Sequence, residues 1–124
     1  MEIDMTDTAT LVARYIESWN ETDATKRRAL IATTFTPDTS YVDPMMKSDG
    51  HDGIDQMLAA VQERFAGLTF KQVGKVDGYG NRVRFSWELG PEGGASLAGG
   101  TDFAIIEAGR LADIVGFLDF APTS

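Results

Sequence analysis

Three side chains in this sequence have the types and placement for proton chemistry. Thr101-Asp102-Phe103-Ala104-Ile105-Ile106 reads as the middle of a long strand carrying one carboxylate among apolar residues. A carboxylate there is costly to bury unless it is paired, protonated or open to a cavity, so the segment reads as the floor of a pocket. Tyr15, on the apolar stripe of the first helix, and Asp43, in Tyr41-Val42-Asp43-Pro44, are the polar groups that could meet it. A carboxylic acid kept protonated by apolar surroundings can donate a hydrogen bond to a developing oxyanion. A tyrosine can supply a second donor to the same oxygen, and one such donor can be worth about 3 kcal/mol. A second carboxylate can move a proton between carbons. Each residue also has a plainer reading: Tyr15 as a core aromatic, Asp43 as turn chemistry before Pro44, and Asp102 as a partner for an arginine.

The elements that must position these groups follow from periodicity. Leu11, Val12, Tyr15, Ile16 and Trp19 fall on one face of a helix from about Thr6 to Asn20, with Asp7 and Thr8 as caps and residues 1–5 as a loose arm. A second helix covers about Ala24 to Thr34, capped by Asp23, with Leu30, Ile31 and Phe35 inward and Lys26, Arg27 and Arg28 on a solvated face. Thr36-Pro37-Asp38 reads as a turn, Ser40 to Asp43 as a short strand, and Met45 to Gly53 as loop. A third helix runs from Ile54 to about Phe65 and stops at Gly67. The period then changes to two. Leu68–Val76, Arg82–Leu89, Ala95–Ile106 and Leu111–Phe120 read as a four-stranded meander, with Asp77 to Asn81 as a turn and Pro122-Thr123-Ser124 as a tail. Helices then strands give an α+β single domain over residues 1–124, with three helices packed in a strongly curved antiparallel sheet that encloses a pocket. The glycines at 90, 93, 94, 99 and 100 sit where a sheet would bend. Both faces of the strand around Asp102 are apolar, so a homodimer through the outer sheet face is the simplest cover for the second one.

Composition narrows the chemistry. The chain has 124 residues, 11 basic and 19 acidic, for a net charge of −8. That balance disfavours nucleic acid and anionic membranes, which need a cationic face. Cysteine is absent and histidine occurs once, which argues against thiol chemistry, disulfides and a multi-histidine metal site. No cofactor is called for. No apolar run approaches the ~20 residues of a membrane span, and the acidic N-terminus lacks the blocks of a signal peptide, so a soluble cytoplasmic protein is expected. The wall or core of the pocket is assigned to Trp19, Met57, Val61, Phe85, Trp87, Phe117 and Phe120. His51, in Asp49-Gly50-His51-Asp52-Gly53, is either solvated, a helix cap, or a proton carrier at the pocket mouth. Met45-Met46 could act as a pliable lid. The Asp49–Gly53 cluster lacks the spacing of a calcium loop, and the glycines lack the strand–helix context of a phosphate loop.

Several motifs together resemble one superfamily. They are Ala13-Arg14-Tyr15 with Trp19-Asn20, Tyr41-Val42-Asp43-Pro44, Gly50-His51-Asp52-Gly53-Ile54, Val83-Arg84-Phe85-Ser86-Trp87, Gly100-Thr101-Asp102-Phe103, and Gly109-Arg110-Leu111 leading to Gly116-Phe117-Leu118-Asp119. They are similar to the NTF2-like cone and, within it, to the SnoaL-like polyketide cyclase group. Steroid isomerases of this fold use a helix-one tyrosine, a base aspartate before a proline and a protonated aspartic acid on a later strand. The resemblance implies those roles for Tyr15, Asp43 and Asp102. The polyketide-cyclase branch places acid–base residues toward the last strands, which by position implies a role for Asp119. Two further expectations stand beside a cofactor-free isomerase, cyclase or dehydratase for a hydrophobic ligand: a binder without chemistry, and a protein–protein interaction module.

Overall fold

The computed structural model describes residues 5–121; residues 1–4 of the expected arm at 1–5, and the expected tail at 122–124, lie outside them. Helix α1 spans Met5–Asn20, α2 Ala24–Thr34 and α3 Gly50–Arg64. The strands are β1 Phe35–Val42, β2 Lys47–Asp49, β3 Thr69–Tyr79, β4 Arg82–Gly90, β5 Ala98–Glu107 and β6 Arg110–Phe120. They form one curved, unclosed sheet in the order β2-β1-β6-β5-β4-β3. The meander β3–β6 is antiparallel throughout, as is β1 with β2, whereas β1 runs parallel to β6.

The helices bury the stripes that periodicity assigns. Leu11, Val12, Tyr15, Ile16 and Trp19 of α1 are buried, as are Ile54, Met57, Leu58 and Val61 of α3, and all join one core with Phe35, Val83, Phe85, Leu111 and Ile114. Asp23 caps α2 through a bond from the Lys26 amide to Oδ1 (3.0 Å).

Five local expectations are corrected. Thr36-Pro37-Asp38 is strand, not turn: β1 begins at Phe35 and absorbs Pro37 at an irregularity in its register with β6 between Phe35 and Ser40. Proline fits because a bulge leaves its missing N–H without a ladder partner. The 45–53 segment contains β2, and α3 starts at Gly50 rather than Ile54. Asp77, Gly78 and Tyr79 extend β3, leaving Gly80-Asn81 as the hairpin tip. Met5 already belongs to α1, so Asp7 and Thr8 lie inside the helix rather than capping it. Arg27 is 6% exposed rather than solvated: its Nε donates to Asp55 Oδ1 (2.7 Å), and its guanidinium also reaches the Glu21 carbonyl and Gln62. A helix-three acid and a ring of acceptors thus compensate a charge that would otherwise face water.

Candidate functional site

Strand alternation aims Asp102 inward. Gly100, Asp102 and Ala104 share the buried face of β5, while Phe103 and Ile105 point out. Asp102 is 2% exposed. Directly across the ladder in β4 stands Phe85, and in β6 Gly116. The stripe of α1 brings Tyr15 down onto this face, where its ring packs edge-on against Phe85 at 5.2 Å.

Two donors hold the carboxylate. The Tyr15 hydroxyl donates to Asp102 Oδ2 (2.7 Å), and the Trp87 indole Nε1–H donates to Oδ1 (3.1 Å). Burial pushes the Asp102 pKa up; the bonds from Tyr15 and Trp87 pull it back, nearby Asp43 raises it, and it settles at about 6. Tyr15 is held well above the ordinary tyrosine range by burial and then by the charge of Asp102. Tyr41 is raised by the same two causes and by its bond to Asp43.

Asp43 follows β1 directly, and strand alternation puts it on the same side as Tyr41. Its Oδ2 accepts from the Tyr41 hydroxyl (2.7 Å), and its Oδ1 accepts from the amides of Met45 (2.8 Å) and Met46 (2.9 Å). It therefore closes the Asp-Pro turn and faces the pocket as well. No hydrogen bond joins it to Tyr15 or Asp102 among the described residues.

These groups open onto one cavity of about 890 Å³ lying between the helices and the concave sheet face. Its size falls within the ~300–1,000 Å³ common for small-molecule sites. Tyr15, Tyr41, Asp43 and Asp102 supply polar atoms; Trp19, Met57, Val61, Phe70, Trp87 and Leu118 supply much of the apolar wall. The aromatic wall is continuous: Trp19 meets Tyr41 at 5.7 Å and Phe70 at 5.2 Å, and Phe70 meets Trp87 at 5.5 Å. Met45 and Met46 line the cavity too, with Met45 62% exposed.

The structure thus gathers Tyr15, Asp43, Asp102, Trp19, Met57, Val61 and Trp87 around one cavity. Five other expected contacts stand elsewhere, among them Phe120, which is 45% exposed near the end of β6 and does not line the cavity. Phe85 is buried behind Tyr15 rather than on the cavity wall. His51 donates from Nε2 to the Phe35 carbonyl (2.8 Å), tying the first turn of α3 to β1 away from the cavity lining. Phe117 lies on the outer sheet face, 54% exposed, edge-to-face with Phe103 at 5.7 Å. Asp119 is also exposed and accepts from the Thr101 hydroxyl (2.8 Å). Tyr41, Phe70 and Gly116 complete the site but escaped sequence reasoning. For Tyr41 the signal was present, since a period of two in Tyr41-Val42-Asp43 puts its hydroxyl beside the carboxylate. Among the described residues no group of three or more His, Asp or Glu side chains could hold a metal ion. Among the described residues no helix is long and apolar enough to cross a membrane.

With this geometry in view, comparison with known proteins gives a consistent picture. No curated protein sequence matches the chain. A SnoaL-like family protein from Agrobacterium tumefaciens, thought to be an isomerase, is 41% identical; the match covers 93% of this chain and 99% of that one, with a TM-score of 0.88. A candidate SnoaL-like polyketide cyclase from Jannaschia sp. CCS1 is 18% identical over 96% of this chain and 91% of its own, at a TM-score of 0.75. A candidate ketosteroid isomerase from Kribbella flavida is 16% identical over 96% and 82%, at 0.70. These last two speak for the fold alone. The model of the SnoaL-like domain matches residues 12–114, which include Tyr15, Tyr41, Asp43 and Asp102, and the chain belongs to that family.

Proposed function

We propose that this protein binds a small, largely apolar molecule with a polar group, of polyketide-, steroid- or terpenoid-like character, and moves a proton on it without a cofactor. The observation that carries the reading is Asp102: buried, facing the cavity, held at both oxygens by Tyr15 and Trp87, with its pKa raised to about 6. Near neutral pH such a group passes between its two protonation states.

Asp43 takes a proton from a carbon beside a ligand carbonyl. Asp102, protonated, gives its proton to the carbonyl oxygen as charge develops there, with Tyr15 and Trp87 keeping it in line. The enol so formed collapses by returning the oxygen-bound proton to Asp102, and Asp43 delivers its proton to a different carbon. Isomerisation, cyclisation and dehydration all share the first step. The resemblance to the 41%-identical SnoaL-like protein thought to be an isomerase supports this class of chemistry.

The test is a thermal-shift screen of hydrophobic carbonyl compounds, followed by turnover of the hits with Asp102→Asn and Asp43→Asn. Both variants should keep binding and lose turnover. Unchanged turnover in both removes the mechanism.

One observation favours a second reading, a carrier without chemistry. Tyr15 pairs with Asp102 and Tyr41 with Asp43, so none of these four groups is left without a partner for a ligand. Binding without turnover of any hit would select it. For the partner we propose a second copy of the chain on the outer sheet face, where Phe103 (44% exposed) and Phe117 (54%) stand together beside Val115. Sedimentation should give a dimer for the wild-type chain and a monomer for Phe117→Asp. A wild-type monomer would contradict this and leave that face open to a different protein.

A further inference from the structure

Two glycines on the inner face of the meander lie across the ladder from residues of the candidate site. Gly100 pairs with Trp87, and Gly116 pairs with Asp102. A Cβ at Gly100 would stand 2.6 Å from Trp87 Cζ2 and 2.9 Å from Cε2, so the indole lies in the space that glycine leaves. A Cβ at Gly116 would stand 2.9 Å from Asp102 Oδ1, 3.3 Å from the Asp43 Cβ and 3.4 Å from the Tyr41 hydroxyl. Oδ1 is the oxygen that accepts from Trp87.

We infer that Gly116 is a positioning residue for Asp102: its missing side chain lets Oδ1 rest where the Trp87 N–H, seated over Gly100, can reach it. The functional meaning rests on the reading of Asp102 as the proton carrier; the geometry does not. The contrast between the two glycines supports the assignment. A side chain at Gly100 would also run into the backbone carbonyl of Phe117, so that glycine serves the sheet as much as the site. At Gly116 the nearest atoms are all side-chain atoms of Asp102, Asp43 and Tyr41. An added methyl there leaves the backbone in place and displaces the carboxyl group. The Tyr15 bond, made to the other oxygen, is free to persist.

The consequence is measurable on the carboxyl itself. The titratable groups facing Asp102 are Tyr15 from α1, Tyr41 from β1 and Asp43 just beyond it. Trp87 lowers the proton affinity of Asp102 and outweighs the opposite influence of Asp43. Losing the indole bond should therefore raise the titration midpoint, even if Asp43 is wedged slightly away.

The experiment is a carbon-13 NMR titration of the Asp102 carboxyl in wild type, Trp87→Phe, Gly116→Ala and the double variant. Trp87→Phe should move the midpoint up by about one pH unit, a tenfold change in proton affinity. Gly116→Ala should move it the same way, and the double variant no further than the larger single shift, because both remove one bond. A Gly116→Ala midpoint at the wild-type value, shifts that add in the double variant, or a Trp87→Phe midpoint that stays put would each overturn the inference. So would a Gly116→Ala protein that fails to fold, since the gap would then serve the backbone. Asp102→Asn turnover is read separately, so loss of this inference and loss of the proposed chemistry can be told apart.

Discussion

The two faces of the β4–β5–β6 sheet carry the same chemical groups and treat them differently. On the inner face a carboxylate, Asp102, meets a phenol, an indole and the buried ring of Phe85. On the outer face a carboxylate, Asp119, ends a polar ladder in which Ser86 meets Thr101 at 2.9 Å and Thr101 donates to Asp119 at 2.8 Å, beside the exposed rings of Phe103 and Phe117. Water screens the outer ladder. The helices deny water to the inner group, and its proton affinity rises. Composition and strand period treat the two acids alike; what separates them is which face the helices cover.

Substitutions on the two faces should therefore diverge. The largest difference is expected for the rings. Phe85→Ala should cost about 3–5 kcal/mol in denaturant unfolding, the range for a buried aromatic. Phe117→Ala should cost under about 1 kcal/mol at concentrations where the chain is monomeric. Equal costs would mean that the outer face is as dry as the core. Next comes chemistry: Asp102→Asn should lower turnover of an identified substrate by about 10²–10⁴-fold, the usual worth of a positioned acid or base. Asp119→Asn should leave it unchanged.

The third difference is in pH. The folded Asp102 binds its proton more tightly than the unfolded chain does, about 6 against 3.8. Its contribution to stability is full below about pH 4 and is lost as the pH rises through about 6, a loss of about 3 kcal/mol. The stability of Asp102→Asn relative to wild type should therefore climb across that window and level off above it. A relative stability that stays flat from pH 4 to 7 would contradict the burial of the charge. The smallest effect is expected for Thr101→Ala, within about 0.5 kcal/mol, because Asp119 is exposed and Ser86 only half-buried, so water replaces the lost bonds.

Much of the fold was legible because it follows from period. The 3–4 spacing of Leu11, Val12, Tyr15, Ile16 and Trp19, and the alternation of Val83, Phe85, Trp87 and Leu89, place residues of the core and, among them, part of the cavity wall. The failures share one cause: they depend on the partner across space. Pro37 reads as turn chemistry until β6 pairs alongside it, and Arg27 reads as surface until Asp55 of α3 meets it. Phe117 and Asp119 have the composition of a site residue, but a sheet has two faces and the chain alone does not say which one the helices cover. Gly116 has no side chain to notice; its meaning appears only when Asp102 is found opposite it.

The central claim is that the Asp102 carboxyl titrates inside the cavity with its proton affinity raised. Carbon-13 NMR of that carboxyl in the ligand-free wild-type protein, followed from pH 3 to pH 8, measures it without knowledge of any substrate. A midpoint near 6 is expected. A midpoint near the ordinary aspartate value of about 4 would contradict it.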